Sequence, residues 1–188
     1  DLDTLRELQP THIVTQTQCD VCAVSKDELI SKIHDLFNYE VQLIDFSPDS
    51  LTEYLRGIKM LSEHLNCSQK GRSLVQTIQK RIFRVQHKTA KAPAKPAVAI
   101  IEWMEPLIPA GHWNREFMDI ANTENVFSDI SEPVHFDKLI QADPEVLIIA
   151  PCGYPLKRTI TELTLLESKP GWGELSAVKN GKVYLCDG

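Results

Sequence analysis

The stretch Asp137–Gly153, DKLIQADPEVLIIAPCG, contains the pattern that decides the fold. It reads Asp-x-Leu, four residues, Pro, two residues and two apolar residues, and the same spacing runs from Asp3 to Val14, 134 positions earlier. In each copy a helical pattern ends before a proline and a short apolar run follows, which is typical of a helix, a turn and a buried strand. Because this arrangement occurs twice, we predict an α/β fold of two similar lobes with parallel strands.

A long helix is predicted between the two copies. Leu74, Ile78, Ile82 and Val85 recur at helical spacing, so we expect one helix over Ser68–Thr89 with these four residues on its packed face. Two prolines in the segment that follows end this helix and mark a lobe boundary. The predicted division is therefore an N-terminal α/β lobe at 1–67, a linker helix segment at 68–95 and a C-terminal α/β lobe at 96–188.

The charge of the chain is unevenly distributed. Its hydrophobic content of 43% and charged content of 24% are ordinary for a globular protein, and its net charge is −6. Residues 1–95 carry 13 Lys/Arg against 12 Asp/Glu, a net of +1, whereas residues 96–188 carry 7 against 14, a net of −7. Ser68–Lys95 has eight basic residues and no acidic one. That segment is interpreted either as a solvated helix face or as a docking surface for an anionic partner. The acidic balance of the whole chain argues against a nucleic-acid partner.

Three loops are expected to form a binding site. In open α/β sheets, ligands bind beyond the carboxyl ends of the strands. Gln16–Val24, Glu102–Trp113 and Pro151–Pro155 each follow a predicted strand, so they line one cleft if the lobes face each other. The predicted ligand-binding residues are Cys19, Cys22, Glu102, Trp103, His112, Trp113, Cys152 and Tyr154.

The chemistry of this predicted site has several interpretations. Cys19-Asp-Val-Cys22 fits a dithiol redox pair, a ligand or metal site completed by the opposite lobe, or two loop thiols without a special role. His112 could coordinate cobalt, iron or zinc, or form a hydrogen bond at a helix start. Cys19, Cys22 and His112 are therefore the metal candidates. Trp103 and Trp113 suit the broad face of a macrocycle, but they also suit a lobe core.

Catalysis is not expected. An enzyme needs an activated nucleophile or a general base held by a partner. The sequence has no Ser/His/Asp arrangement, H-E-x-x-H motif, P-loop or G-x-G-x-x-G motif. We therefore predict a binding protein, with a Cys/His-based metal-binding or dithiol redox protein as the alternative. Visible absorption would help to separate the two, since a dithiol is colourless.

Three motifs in order resemble one family. Trp103–Trp113 reads W-x-E-P-L-x-x-A-G-x-W, Pro144–Gly153 reads PEVLIIAPCG, and Pro170-Gly-Trp172 leads to AVKNGKVY at Ala177–Tyr184. This combination resembles the cobalamin/iron-siderophore substrate-binding proteins of ABC importers (class III). The resemblance implies a clamshell of two α/β lobes on a rigid helical backbone. It also implies a transported metal chelate, such as a corrinoid, haem or an iron-siderophore, and no covalent cofactor.

The resemblance also implies partners and a location. Glu28 and Glu162 lie 134 positions apart, one in each predicted lobe, and such paired glutamates are expected to meet arginines on an ABC permease dimer. Such proteins usually open with a further strand and close with a helix, so the N-terminal lobe is expected to be incomplete and to self-associate through an unpaired strand edge. A periplasmic or extracytoplasmic, membrane-associated location is implied. A cytoplasmic variant stays open, because Asp1–Arg6 shows no apolar leader core.

Overall fold

The computed structural model describes residues 2–16, 32–33, 36–111, 113–127 and 132–188. The chain forms two compact units, Asp1–Lys80 and Arg81–Gly188, here called unit 1 and unit 2. The boundary between the units lies inside the long helix rather than after it. The division into two lobes and a separate linker segment therefore stays a prediction.

Unit 1 combines helices with a pair of parallel strands, as predicted. Strands β1 and β2 pair in parallel, with His12 opposite Gln42. The Ser50 side chain accepts a hydrogen bond from the backbone N–H of Glu53 and so caps the second helix, satisfying a backbone donor that has no partner inside the helix. The described elements are α1 (Leu2–Leu8), β1 (His12–Thr15), β2 (Gln42–Asp45), α2 (Leu51–His64) and the first part of α3 (Ser68–Thr89).

Unit 2 is a mainly parallel sheet covered by helices. Its strand order is β4-β3-β6-β7, with β5 beside β3, and of these strands only β4 runs antiparallel to its neighbour. Its core is built on Ile101, Leu147 and Ile149 of the central strands, which are completely buried. After the end of α3, the described elements are β3 (Ala97–Trp103), β4 (Ile108–Pro109), α4 (Asn114–Ile120), β5 (Glu124–Asn125), α5 (Phe136–Ala142), β6 (Val146–Ile149), α6 (Leu156–Glu162), α7 (Thr164–Glu167), a 3₁₀ turn (Trp172–Glu174), α8 (Ser176–Lys179) and β7 (Val183–Leu185).

The structure confirms the internal repeat. Moving α1 forward by 134 positions gives the bounds of α5, and moving β1 forward by the same offset gives those of β6. The residue between helix and proline adopts the left-handed conformation in both copies, with φ of 45° at Gln9 and 38° at Asp143. A left-handed residue ends a helix, and the proline that follows cannot extend it. The two copies therefore turn from helix to strand in the same way.

The packed face of α3 differs from the predicted one. Ile78 and Ile82 are half-buried as expected, but the prediction was wrong for Leu74 and Val85, which are 50% and 41% exposed. The buried positions of the helix are instead Gly71 and Val75. A Cβ atom at Gly71 would lie 2.0 Å from Ser62 Oγ of α2, so the missing side chain is what lets the two helices approach. Apolar spacing alone does not reveal a face that is centred on a glycine.

The first strand of unit 2 extends further than predicted. Glu102 and Trp103 were expected in a loop, but they are the last two residues of β3. The chain then turns through a cis Glu105–Pro106 bond and returns as β4, which pairs Ile108 with Trp103. This hairpin gives the end of β3 a hydrogen-bonded partner, so the strand continues into the polar stretch.

The turn at Asp143 predicts a pH-dependent stability. Its carboxylate accepts hydrogen bonds from the backbone N–H and the hydroxyl of Ser176, both at 2.7 Å. These bonds, the backbone one first, lower the pKa of Asp143 below the usual value of about 3.9. The carboxylate therefore stabilises the fold above the unfolded-state pKa, and this contribution is lost as the pH falls through the folded-state pKa.

Asp143→Asn keeps a residue that tolerates positive φ. We expect the variant to have a lower melting temperature than the parent at pH 7. The difference between the two melting temperatures should shrink as the pH falls below about 4. An equal difference in melting temperature at pH 3 and pH 7 would contradict the stabilising role of the ionised Asp143 carboxylate.

Candidate functional site

The predicted site residues of unit 2 meet at the carboxyl ends of β3 and β6. These strands are parallel neighbours, with Ile101 opposite Ile149. The pairing continues past the strand ends, because the backbone N–H of Cys152 donates to the carbonyl of Glu102 at 3.1 Å. Residues that follow the two strands are therefore held side by side, as the strand order predicts.

An aromatic pair stands at this edge. The rings of Trp103 and Tyr154 pack edge to face, with centroids 5.3 Å apart and planes at 69°. The indole Nε1 of Trp103 donates to the carbonyl of Glu105 at 3.0 Å, which holds the ring against the turn that follows β3. Tyr154 is buried and Trp103 is half-buried, so the tryptophan keeps part of its ring open to solvent. A broad, fixed aromatic surface of this kind suits a large ligand with an apolar face.

A polar network fixes the tyrosine. Arg158 donates from Nη2 to the Tyr154 hydroxyl at 2.8 Å, and the hydroxyl donates to Glu162 Oε2 at 3.0 Å. Arg158 also donates from Nε to Glu162 Oε1 at 2.7 Å, and its guanidinium carbon lies 3.6 Å from the centre of the Tyr154 ring. Arg158 was not among the residues predicted from the sequence. The spacing of four residues from Tyr154 to Arg158 and from Arg158 to Glu162 was the available signal.

The network sets the charge state of its members. Burial, followed by the bond to Glu162, raises the pKa of Tyr154, so the phenol stays neutral and can donate at physiological pH. The hydrogen bond from Arg158 lowers the pKa of Glu162, and the same bond raises the pKa of Arg158. The site therefore carries a neutral phenol held between a carboxylate and a guanidinium. Glu162, predicted to pair with a permease arginine, already pairs with an arginine of its own helix.

Trp113 and Cys152 are also among the described residues of the predicted site. Trp113 is half-buried and directly precedes α4, and Cys152 is an exposed free thiol. Within the described ranges, no group of three or more His, Cys, Asp or Glu side chains is arranged to hold a metal ion. Four predicted residues lie outside the described residues, so their assigned roles in metal binding, redox chemistry and docking stay predictions: Cys19, Cys22, Glu28 and His112.

The fold defines an α/β protein with mainly parallel strands covered by helices. The sequence profile of the Periplasmic binding protein family matches residues 1–188, so the chain belongs to that family. Among proteins with curated functions, none matches the sequence. Across the described residues, no helix combines the length and apolar character needed to cross a bilayer.

Solved structures share the fold at low sequence identity. An ABC transporter substrate-binding protein from Listeria monocytogenes superposes with a TM-score of 0.77 at 22% identity, covering 100% of this chain and 71% of the other. Staphylococcus aureus IsdE, solved in complex with heme, superposes with a TM-score of 0.73 at 22% identity, covering 99% of this chain and 71% of the other. The vitamin B12 binding protein BtuF of Vibrio cholerae superposes with a TM-score of 0.68 at 18% identity, covering 99% of this chain and 68% of the other. The chain thus spans about 70% of the length of these neighbours.

Proposed function

We propose that this chain is the substrate-binding protein of an ABC importer and that it binds a corrinoid, haem or a ferric siderophore. The observation that carries the proposal is the Trp103–Tyr154 pair at the carboxyl edge of β3 and β6, in a protein of the Periplasmic binding protein family. The neighbours that were solved with heme or named for vitamin B12 support this ligand class. A binding protein of this kind holds its metal chelate as cargo and has no chemical step to catalyse.

The geometry accounts for ligand binding in physical terms. The exposed part of the Trp103 ring offers apolar area to a macrocycle, and the indole is held by its contact with the Tyr154 ring and by its hydrogen bond to the Glu105 carbonyl. Preorganised aromatic residues lose little conformational entropy on binding, so more of the contact energy appears as affinity. Glu102, Cys152 and Trp113 complete the proposed ligand contacts of unit 2. Cys19, Cys22 and His112 remain the proposed contacts outside the described residues.

The test is a titration of the full chain with three probes. Hemin, cyanocobalamin and a ferric siderophore are added separately, and binding is followed by calorimetry and by visible absorption. We expect saturable one-to-one binding of at least one probe, with a shifted absorption band. If no probe binds, while the chain shows a reversible dithiol or takes up bare zinc, the importer proposal is wrong and the Cys/His alternative stands.

We further propose that the partner of the loaded protein is a membrane permease dimer, which implies an extracytoplasmic location. Glu28 and Glu162 are the proposed docking carboxylates. Because Glu162 is bound to Arg158 at 2.7 Å, docking through it requires the permease arginine to replace or share that bond. This exchange keeps the carboxylate paired throughout, so docking does not require an unpaired charge to be buried.

A further inference from the structure

Helix α3 carries five basic residues on one side. With 3.6 residues per turn, they fall within an arc of about 100° and extend over about 27 Å of the helix. All five side chains are exposed, whereas Arg72, the sixth lysine or arginine of the helix, lies outside the arc. We call this set the basic stripe: Lys70, Lys80, Arg81, Arg84 and Lys88.

The stability of the helix does not explain the basic stripe. The helix has no acidic residue, and the salt bridges found in the described part of the chain all lie outside α3. Lys80, Arg84 and Lys88 follow one another at intervals of four, where like charges repel and destabilise a helix. Only Lys88, in the last turn, is favoured by the helix dipole. An anionic surface outside the protein would offset this repulsion.

An apolar margin borders the basic stripe. Leu74 and Val85, 50% and 41% exposed, lie at about 0° and 20° on the helical wheel, next to Arg81 at about 340°. The result is a band of cations along one side of the helix with a thin apolar edge. A protein partner would be expected to need a larger apolar core, with aromatic residues at its centre. A lipid bilayer can bind this surface as it is, because anionic headgroups attract the cations and the boundary with the acyl chains accommodates the apolar edge.

We propose that α3 docks on an anionic lipid bilayer through the basic stripe. The proposal rests on the importer function only in that such a protein works beside a membrane. The net charge of −6 does not prevent docking, because salt screens charges that lie more than about 8 Å from the surface. Bound in this way, the protein would search for its permease along the membrane plane rather than through the whole compartment.

The test measures binding to permease-free vesicles by co-sedimentation. Vesicles of phosphatidylcholine alone are compared with vesicles that contain phosphatidylglycerol, at low and at physiological salt. The stripe variant is Lys80→Gln, Arg84→Gln and Lys88→Gln. The control variant is Lys138→Gln, Lys157→Gln and Lys182→Gln, which removes the same net charge from exposed lysines of unit 2.

We expect the parent to bind the anionic vesicles only, and less strongly as the salt concentration rises. The stripe variant should partition about 100-fold less well, since each basic residue near an anionic surface contributes about a factor of five. The control variant should stay within about twofold of the parent. No binding of the parent at low salt, or equal losses in both variants, would overturn the proposal.

Two further outcomes separate this proposal from its alternatives. If the stripe variant binds vesicles like the parent but loses association with the detergent-solubilised permease, the stripe contacts a protein and the lipid proposal is wrong. Titration of both variants with hemin, cyanocobalamin and a ferric siderophore tests the importer function independently. If the parent binds vesicles but none of the three probes, the result would support lipid docking through the basic stripe and would contradict the proposed function.

Discussion

Gly71→Ala is expected to lower the free energy of unfolding by about 2 kcal/mol, although alanine favours helices over glycine by about 1 kcal/mol. The reason is steric. A Cβ atom at position 71 would lie 2.0 Å from Oγ and 2.4 Å from Cβ of Ser62, so α2 and α3 would have to move apart. Ser62 is buried and its hydroxyl donates to the Lys59 carbonyl at 2.8 Å, which limits its ability to turn away. Urea unfolding followed by circular dichroism measures the effect.

Two variants distinguish this clash from a general effect of replacing glycine. Gly173→Ala places a methyl group where no atom lies within 4 Å, and it should change stability by less than about 0.5 kcal/mol. Combining Ser62→Gly with Gly71→Ala places the small residue on α2 instead of α3. The double variant should regain part of the lost stability, because both clashing atoms of the serine are removed. The explanation is wrong if Gly71→Ala is as stable as the parent.

Trp103→Ala is expected to weaken ligand binding at least 30-fold, about 2 kcal/mol. On the proposed function, the indole is the broad surface on which the chelate rests, and truncation removes that area together with the edge-to-face contact to Tyr154. The measurement is a titration with whichever of hemin, cyanocobalamin and ferric siderophore binds the parent. Because Trp103 also packs against the core of unit 2, thermal unfolding of each variant must show that the titrated protein is folded.

Matched aromatic replacements locate the effect. Trp103→Phe keeps a ring at the strand end and should lose much less affinity than the alanine variant. Trp172→Phe changes a buried tryptophan of the same unit that is not part of the predicted site, so it should alter stability but not affinity. Equal affinities of the parent and Trp103→Ala would remove this residue from the binding site, and the proposed function would then lose the observation that carries it.

Much of the fold was predictable from short patterns. The repeat at an offset of 134 predicts the helices α1 and α5 and the strands β1 and β6, because a helix that ends before a proline and a run of apolar residues are both encoded locally. The long helix Ser68–Thr89 was predictable for the same reason. The meeting of Trp103 and Tyr154 could also be expected, because parallel neighbouring strands end at the same edge of a sheet.

Only the tertiary structure decided which surfaces meet. Apolar spacing pointed to Leu74 and Val85, but the close approach of α2 at Gly71 shifted the packed face around the helix, away from these two residues. The network of Tyr154, Arg158 and Glu162 was missed because charged residues at helical spacing usually remain solvated, and only the buried phenol between them turns the spacing into a site. A sequence determines where helices and strands form, since that depends on neighbours along the chain. Which of their faces pack, and which side chains are fixed there, depends on neighbours brought together by the fold.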